Sequence, residues 1–283
     1  MSASPLPTRV ADLHLHTCYS DGTFTPAELV REAHTRGLST IAVTDHDTVD
    51  SVPEAAATAR ALGVELIPGI ELSTQTGQED IHLLGYFVDL ADQTFRAWLD
   101  ALKVARLERL KRMVERLQSV GIAITVDDVL AIAGPGTVGR LHVARALVTR
   151  GAVSDTNQAF DKYLGTHKPA YIADCHPSPE EGIRRLRAAR GLPVLAHPVY
   201  LKDEALITTL AQCGLAGLEV YHAKHDAGQQ MKYAQIAQRE GLVMTGGSDC
   251  HGMAKGQPLI GTVKLPYTYV ESLKRCHAQI FGS

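Results

Sequence analysis

The sequence lacks long apolar runs, an excess of basic residues and paired cysteine motifs. No stretch approaches the 18 uninterrupted apolar residues of a membrane-spanning helix, and residues 1–7 form no signal-peptide core. Lys and Arg number 28 against 31 Asp and Glu, so no overall basic field favours long nucleic acid as an obligate partner. The five cysteines are odd in number and scattered, which fits reduced thiols better than a disulfide framework, and none forms a Cys-x-x-Cys pair. We expect a cytoplasmic protein that requires neither a membrane nor an obligate protein partner.

Histidine, in contrast, is plentiful, with 13 among 283 residues. His14 and His16 stand two apart, and because alternate residues of a strand share a face, both imidazoles point the same way. Asp21 follows through a polar turn closed by Gly22, which brings a carboxylate near them. This arrangement could begin a metal site. The alternative is a half-buried strand whose histidines are merely hydrogen-bonded, which is the commoner interpretation of a lone His-x-His.

Strand-like and helix-like segments alternate along the chain. Thr25-Pro26-Ala27-Glu28 and Ser51-Val52-Pro53-Glu54 are capping boxes that predict the starts of two helices. Gly37 and Gly63 predict where these helices end. Seven strand-like segments, mostly followed by helices, predict an α/β fold with a parallel sheet or barrel. They cover residues 12–17, 39–43, 64–70, 81–88, 192–196, 218–222 and 242–251, the last of which opens into a polar loop.

The pattern changes between residues 92 and 168. Residues 95–120 predict one long amphipathic helix, because apolar residues recur at helical spacing with Arg or Lys between them. Shorter helices are predicted at 126–133, 141–149 and 156–164, separated by turns that contain glycine. We therefore predict two parts. Residues 1–91 and 169–283 form the barrel, and residues 92–168 form an all-helical insert that serves as a lid or substrate-binding part.

The polar residues with metal-binding chemistry stand mainly where predicted strands end. In such barrels the functional groups lie at the C-terminal ends of the strands. Local hydrogen bonding explains one buried His or Asp, but it does not predict the same placement on strand after strand. We therefore take nine imidazoles and carboxylates as candidate metal ligands: His14, His16, Asp21, His46, Glu71, His82, His197, Asp249 and His251.

This ligand set is too large for one ion. It contains no thiolate and suits Mn, Zn or Fe, so we expect a cluster of two or three ions with a bridging carboxylate such as Glu71. Closely spaced divalent ions clamp the attacking and leaving oxygens in a displacement at phosphorus and lower the pKa of a shared water. The pattern therefore favours a phosphoester hydrolase.

The same motifs resemble those of the PHP (polymerase and histidinol phosphatase) family of metal-dependent phosphoesterases, over nearly the whole chain. They are His14-x-His16 with Asp21, Thr44-Asp45-His46, Gly69-Ile70-Glu71, His82, Ala196-His197-Pro198 and Ser248-Asp249-x-His251. The resemblance implies a distorted (β/α)7 barrel, the PHP fold, which holds two or three ions, commonly Mn²⁺.

The resemblance also implies a division of the ligands. A first metal would use His14, His16, Glu71 and Asp249, and a second would use Asp21, His46, His197 and His251. A third would share Glu71 and take His82, with His142 or His222 as candidates to complete it. Asp45 is expected to orient an imidazole, and Glu219 to be a structural carboxylate of the barrel.

The predicted insert resembles that of the nucleotide-hydrolysing branch of the family, which includes 3′,5′-nucleoside bisphosphate phosphatases and a 5′-to-3′ exoribonuclease acting on short RNA. The glycine-rich turn 133–139 precedes a helix N-terminus, where backbone N–H groups favour an anion, and Arg140 could add a bidentate fork. A plain connector with a solvated arginine explains this turn equally well. The candidate substrate-binding residues are Arg140, His142, Lys168, Tyr171, Tyr221 and His222.

These assignments predict a Mn²⁺-dependent phosphomonoesterase that removes the 3′-phosphate from nucleoside 3′,5′-bisphosphates such as pAp. His197 and His251 would offset the charge that develops at phosphorus, and Asp21 is the third predicted catalytic residue. The nearest alternative is exonucleolysis of short RNA from a 5′-phosphorylated end, so the expected partner is a small nucleotide or a short oligoribonucleotide. A histidinol-phosphate phosphatase, a C–N hydrolase and a non-catalytic metal-stabilised binding module are less favoured.

Overall fold

Eight strands form one sheet that curls into a nearly closed barrel, with helices packed around it. The computed structural model describes residues 9–77, 79–173 and 176–282, without the side chains of 254 and 255. The strands are β1 (Val10–Asp12), β2 (Thr40–Val43), β3 (Glu65–Thr76), β4 (Glu79–Tyr86), β5 (Leu192–Leu195), β6 (Gly217–His222), β7 (Val243–Gly247) and β8 (Leu265–Pro266). Their order is β7-β6-β5-β4-β3-β2-β1-β8. Leu13 N donates to Gly246 O at 3.2 Å, so the chain beyond β1 meets β7.

The predicted distorted barrel is confirmed, with two departures from regular alternation. β4 runs antiparallel to both β3 and β5, because it follows β3 through a tight turn at Gly77, where φ is 60°, rather than through a helix. The two-residue strand β8 pairs antiparallel with β1 and was not predicted. It is too short to leave a periodic pattern in the sequence. The remaining neighbours in the sheet are parallel.

Ten helices accompany the described strands, and their starts follow the capping chemistry in part. At the first helix, Thr25 N donates to Glu28 Oε2 at 2.8 Å and Glu28 N donates to Thr25 Oγ1 at 3.2 Å, as predicted. At the second, the predicted capping box is wrong, because the Ser51 hydroxyl donates to Asp45 instead. The helices are α1 (Pro26–Thr35), α2 (Val52–Leu62), α3 (Gln93–Ser119), α4 (Val126–Ala133), α5 (Arg140–Thr149), α6 (Thr156–Ala159), α7 (Pro179–Ala188), α8 (Ala205–Gln212), α9 (Ala227–Glu240) and α10 (Tyr267–Phe281).

The long helix α3 connects two hydrophobic cores. Phe95 and Leu99, near its start, pack in the main core of the barrel. Leu110 and Leu117, more than two turns further on, pack with residues of α4, α5 and α6 in a second core. Each large side chain buried in this way contributes on the order of 1.5–3 kcal/mol. The helices predicted for the insert therefore exist and share a core of their own, although the predicted boundaries at 92 and 168 stay a prediction.

Two expectations about composition can be compared with the structure only in part. Within the described residues, no helix combines the length and the apolar character that crossing a bilayer requires. Cys18, Cys213, Cys250 and Cys276 are free thiols. Cys175 and the segment 1–7 lie outside the described residues.

Candidate metal centre and the cleft beside it

His14 and His16 lie on extended chain just beyond β1 and face the mouth of the barrel. Both imidazoles are fully buried, while Leu13 and Leu15 pack into separate hydrophobic cores. The alternation seen in the sequence thus sorts ligand side chains from core side chains.

A first set of four side chains converges at this point. His14 Nε2 lies 3.0 Å and His16 Nε2 3.1 Å from Glu71 Oε2. Asp249 Oδ1, from the loop after β7, is 3.5 Å from His14 Nε2 and 3.2 Å from His16 Nε2. The structure therefore brings together the four residues expected to hold the first metal.

A second set forms on the other side of His16. Asp21 Oδ1 lies 3.2 Å from His251 Nε2, and the His251 ring is 4.3 Å from the His16 ring, centroid to centroid. His46, which follows β2, has its ring 4.8 Å from the same His16 ring. Ligand atoms of His16, Asp21, His46 and His251 all lie within 4.8 Å of one another.

His197 does not join the second set, contrary to the expected division. Its Nε2 lies 3.0 Å from Glu71 Oε1, and His82 Nδ1 lies 2.8 Å from that same oxygen. The reason is strand order. His197 follows β5 and His82 lies on β4, and these neighbouring strands are paired, with Ala196 N donating to His82 O at 3.0 Å. His197 therefore takes the place beside Glu71 and His82 for which His142 and His222 were candidates.

Glu71 directs Oε2 towards His14 and His16 and Oε1 towards His82 and His197, as a bridging carboxylate does. Three buried atoms of the cluster, His16 Nε2, His46 Nδ1 and Asp21 Oδ1, make no hydrogen bond of acceptable geometry, although carboxylate or imidazole atoms lie close to them. Buried polar atoms normally make hydrogen bonds. Nitrogen and oxygen atoms that face one another without such bonds are therefore suited to bind shared metal ions. Imidazole and carboxylate ligands suit Mn, Zn or Fe, and the residues present therefore fit a cluster of such ions.

The electrostatics of the cluster keep its carboxylates ionised. Burial alone would raise the pKa of Glu71, but His46, His14 and His82 hold it well below its usual range. The pKa of Asp249 is likewise held low by His251 and His14 against the effect of burial. Burial lowers the pKa of His46 to about 3. Against the effect of burial, Asp249 and Glu71 raise the pKa of His16 to about 10, so a metal ion that binds there must displace a proton.

Two further carboxylates support the ligands from behind. Glu219 Oε1 is 3.0 Å from His14 Nδ1, and Glu219 Oε2 accepts from the backbone N–H of His197 at 2.8 Å. Asp45 reaches an imidazole only through Ser20, whose hydroxyl lies 3.4 Å from His16 Nδ1, so its expected role in orienting an imidazole is indirect. It accepts from Thr17 N at 2.7 Å and from the Ser20 hydroxyl at 2.6 Å, and so fixes the loop that carries Asp21.

The cluster opens into a cleft with two arms that share Asp21, His46, Asp80, His82 and Arg140. The first, which we call the insert arm, has a volume of about 190 Å³ and runs beneath α3 and α5. The second, the open arm, has a volume of about 380 Å³ and passes the other metal-ligand candidates towards Tyr200. Residues found only in the insert arm include Ser73, Arg106, Arg109, His142, Phe160 and His176.

The insert arm is rich in arginine. Arg140 pairs with Asp80 at 2.6 Å. Arg106 pairs with the buried Asp47 and donates to Ser73 Oγ at 2.8 Å, and Arg109 Nε donates to Ile172 O at 2.9 Å. Sequence reasoning missed Arg106, Arg109 and His176. For the arginines a signal existed, since both fall on the helical stripe that includes Leu102 and Met113.

The glycine-rich turn 133–139 packs against the loop that follows His16 and carries Asp21, which we call the metal loop. It is not open to the cleft as an anion site would be. A Cβ on Gly136 would lie 1.6 Å from Tyr19 O, and Thr137 N donates to that oxygen at 2.9 Å. The Gly139 N–H is taken by His142 Nδ1 at 3.0 Å. The expected anion cradle is therefore wrong for these two N–H groups, which already have protein partners.

The other substrate-binding candidates divide into two kinds. His142 lines the insert arm, and burial lowers its pKa to about 4. His222 is buried behind Asp249, with its Nε2 3.8 Å from Asp249 Oδ2. The structure does not bring Lys168, Tyr171 or Tyr221 to either arm. Lys168 is exposed, Tyr171 O accepts from Arg116, and the Tyr221 hydroxyl lies 2.6 Å from that of Tyr269.

Comparison with known proteins gives consistent results. The PHP domain matches residues 12–166. A 3′,5′-nucleoside bisphosphate phosphatase of Chromobacterium violaceum is 35% identical, with 90% of this chain and 92% of the relative covered. A 5′-3′ exoribonuclease of Haemophilus influenzae is 34% identical over 86% of this chain and 90% of its own. A crystal structure from Bifidobacterium adolescentis, assigned as a metal-dependent phosphoesterase, superposes with a TM-score of 0.87 at 34% identity, covering 96% of this chain and 98% of the other.

Proposed function

This chain belongs to the PHP domain family and is a metal-dependent phosphoesterase, and from that premise we propose that it removes the 3′-phosphate of nucleoside 3′,5′-bisphosphates such as pAp. Water is consumed, the P–O3′ bond breaks, and the products are a 5′-nucleotide and phosphate. One observation carries the proposal: an arginine-rich arm adjoins the cluster of metal-ligand candidates in a single cleft. Such a cleft suits a substrate with two phosphates, one at each end.

The resident ions in this proposal are two or three Mn²⁺. Bound at this cluster, closely spaced divalent ions generate hydroxide from water near neutral pH and offset the charge of the phosphoryl oxygens. Glu71 would contribute to both the set around His16 and the set that it forms with His46 and His82, beside which His197 lies. Asp21, His197 and His251 line the open arm, where they can contact the phosphoryl group, and we propose them as the catalytic residues.

In this proposal the second phosphate occupies the insert arm. Arginine is the residue best suited to a phosphate because its planar fork donates two parallel hydrogen bonds. We propose that Arg140, at the junction of the two arms, holds the 5′-phosphate, with Arg106, Arg109, His142 and His176 lining the space around it. Residues 92–168 would then act as the part that closes over this phosphate. A 5′-3′ exoribonuclease activity on short RNA is the second candidate, favoured by the open arm.

The proposal is tested by measuring phosphate release from pAp, 3′-AMP and 5′-AMP by protein supplied with Mn²⁺. We expect rapid release from pAp, slow release from 3′-AMP and none from 5′-AMP. Failure to release phosphate from pAp, or release of its 5′-phosphate, contradicts the proposal. If Mn²⁺ binds and raises the melting temperature but neither these substrates nor short 5′-phosphorylated RNA is hydrolysed, the non-catalytic module is favoured instead.

The position of the second phosphate is tested separately with Arg140→Ala. This variant should raise KM for pAp by about tenfold, the effect of losing a charge-assisted hydrogen bond, and change KM for 3′-AMP little. Arg112→Ala is the matched control, because Arg112 is an exposed residue of α3. An unchanged KM for pAp in Arg140→Ala would remove Arg140 from the site.

A further inference from the structure

The open arm carries an aromatic side chain that the hydrolysis of a bisphosphate does not use. Tyr200 ends the short 3₁₀ turn Pro198–Tyr200, immediately after His197. It lines the open arm together with Asp249 and His251, yet 58% of its surface is exposed. Its ring stands edge-on to the His197 ring, with a centroid distance of 5.3 Å. The cleft therefore presents an accessible aromatic ring beside the catalytic cluster, in the arm that Arg106 and Arg109 do not line.

The loop that carries this ring is fixed to the barrel at both ends. Tyr200 N donates to His197 O at 3.2 Å, and Lys202 N donates to Glu79 Oε1, at the start of β4, at 2.6 Å. The backbone that carries the ring is therefore fixed, while the surface of the ring stays accessible. An aromatic ring in such a position can bind a flat ligand at little cost in conformational entropy.

The proposed reaction indicates which part of a substrate would contact the Tyr200 ring. If the 5′-phosphate lies in the insert arm and the P–O3′ bond breaks at the cluster, the scissile phosphorus keeps three other oxygens. In pAp all three are terminal oxygens. In a 5′-phosphorylated dinucleotide one of them is the O5′ of the next nucleoside, which would extend into the open arm.

We propose that Tyr200 stacks against the base of the nucleotide on the 3′ side of the scissile phosphate, and is thereby the residue that determines how efficiently the second candidate substrate, short 5′-phosphorylated RNA, is cleaved relative to a bisphosphate. This inference rests on the proposed function, because it uses the same bond and the same cluster. Water adds to phosphorus, the P–O3′ bond breaks, O3′ leaves as the hydroxyl of the first 5′-nucleotide, and the phosphate stays on the second. Stacking tolerates every base, so the platform selects a nucleoside and not a sequence.

The experiment compares kcat/KM for pAp with kcat/KM for the 5′-phosphorylated diribonucleotide pApA in the Mn²⁺-loaded protein. In Tyr200→Ala the ratio of the pApA value to the pAp value should fall by about tenfold, the usual effect of losing one stacking contact. Tyr200→Phe keeps the ring and should keep the wild-type ratio. A pApA analogue without the second base should be cleaved equally slowly by the wild type and by Tyr200→Ala, because the contact is then already lost.

Other results would overturn the proposal in distinguishable ways. An equal fall in Tyr200→Phe would show that the hydroxyl acts, and not the ring. An equal loss for pAp and pApA in Tyr200→Ala, accompanied by weaker Mn²⁺ binding in a titration of the metal-free protein, would mean that Tyr200 only positions His197. If the wild type cleaves pAp but not pApA, the open arm takes no nucleotide while the proposed function stands. If it cleaves neither, the proposed function fails as well.

Discussion

Glu219 illustrates how one residue can control two ligands without belonging to the set that holds the ions. It is fully buried on β6, and its two oxygens face His14 Nδ1 and the backbone N–H of His197. A carboxylate in this position fixes the tautomer of one ligand and the backbone of the other. Neither contact is visible in the sequence, where Glu219 lies more than 200 residues from His14.

We predict that Glu219→Gln weakens Mn²⁺ binding by about 10- to 100-fold, the usual effect of removing such a supporting carboxylate. The amide can still accept from His197 N, but it carries no charge to hold His14. Glu65→Gln is the control, since Glu65 is a carboxylate of β3 that pairs with Arg9 and Lys274 away from the cluster. Titration of the metal-free proteins with Mn²⁺ measures both affinities. Equal affinities in the two variants would contradict the role of Glu219.

His142 gives a prediction with a defined pH dependence. Burial lowers its pKa to about 4, whereas the unfolded chain protonates histidine near 6.5. Between these two values the unfolded state binds a proton that the folded state does not, so this residue makes the protein less stable as the pH falls. Above pH 6.5 the contribution disappears.

The variant His142→Gln should remove this effect while keeping the bond from Gly139 N, since Gln at the third helical position makes the same contact. Urea unfolding of both metal-free proteins at pH 7 and pH 5 measures the difference in unfolding free energy. We expect that difference to shift in favour of the variant by about 2 kcal/mol on going to pH 5. A difference that does not depend on pH would show that His142 does not titrate in this way.

Among the elements, the turn between α4 and α5 couples the insert to the metal loop. Gly136 lies directly against Tyr19, where a Cβ would be 1.6 Å from Tyr19 O and 2.4 Å from Tyr19 Cα. Both are backbone atoms, so Gly136→Ala must push the turn and the loop apart. Because this loop also carries Asp21, the substitution should weaken Mn²⁺ binding and cost about 1–3 kcal/mol of stability.

Gly139→Ala is the matched control within the same turn, because its Cβ would meet nothing closer than Arg106 Nη1 at 3.7 Å. We expect this control to lose about 1 kcal/mol at most, the effect of alanine at a helix N-cap, and to bind Mn²⁺ normally. Melting temperatures and Mn²⁺ titrations compare the two variants. Wild-type metal binding in Gly136→Ala would show that the turn does not hold the metal loop.

Sequence patterns predicted the elements well where neighbouring residues determine them. The capping box at Thr25 and the bounds of α4, Val126–Ala133, depend on contacts within a few residues. Contacts between elements that are distant in the sequence could not be predicted in this way. The contacts of His197 depend on the pairing of β4 with β5. The structural role of the glycine-rich turn depends on its contact with Tyr19, which lies in a distant part of the sequence. Arg106 and Arg109 were missed because helical charge usually indicates solvent, whereas here it lines a cleft.

At the scale of the whole molecule, the candidate ligands connect the ends of most of the barrel strands. They lie on β3 and β4 and on the chain that follows β1, β2, β5 and β7, and none lies in the second core formed by α4, α5 and α6. Without ions, three carboxylates and six imidazoles are left close together at the mouth of the barrel. Metal removal should therefore affect the barrel far more than the insert.

We predict that chelation of the metal lowers the melting temperature by about 5–10 °C. An ion present at about 100 times its dissociation constant stabilises the folded state by about 2.7 kcal/mol, and each kcal/mol corresponds to about 2–4 °C in a chain of this size. Adding Mn²⁺ back should restore the melting temperature in proportion to the logarithm of its concentration, and Glu71→Gln, which removes the carboxylate shared by two groups of candidate ligands, should abolish most of that response. Amide hydrogen exchange should show the loss of protection at the strand ends near His14 and Asp249, with little change in α4 and α5. An identical melting temperature with and without Mn²⁺, or a loss of protection that begins in the insert, would mean that the ions do not hold the barrel closed.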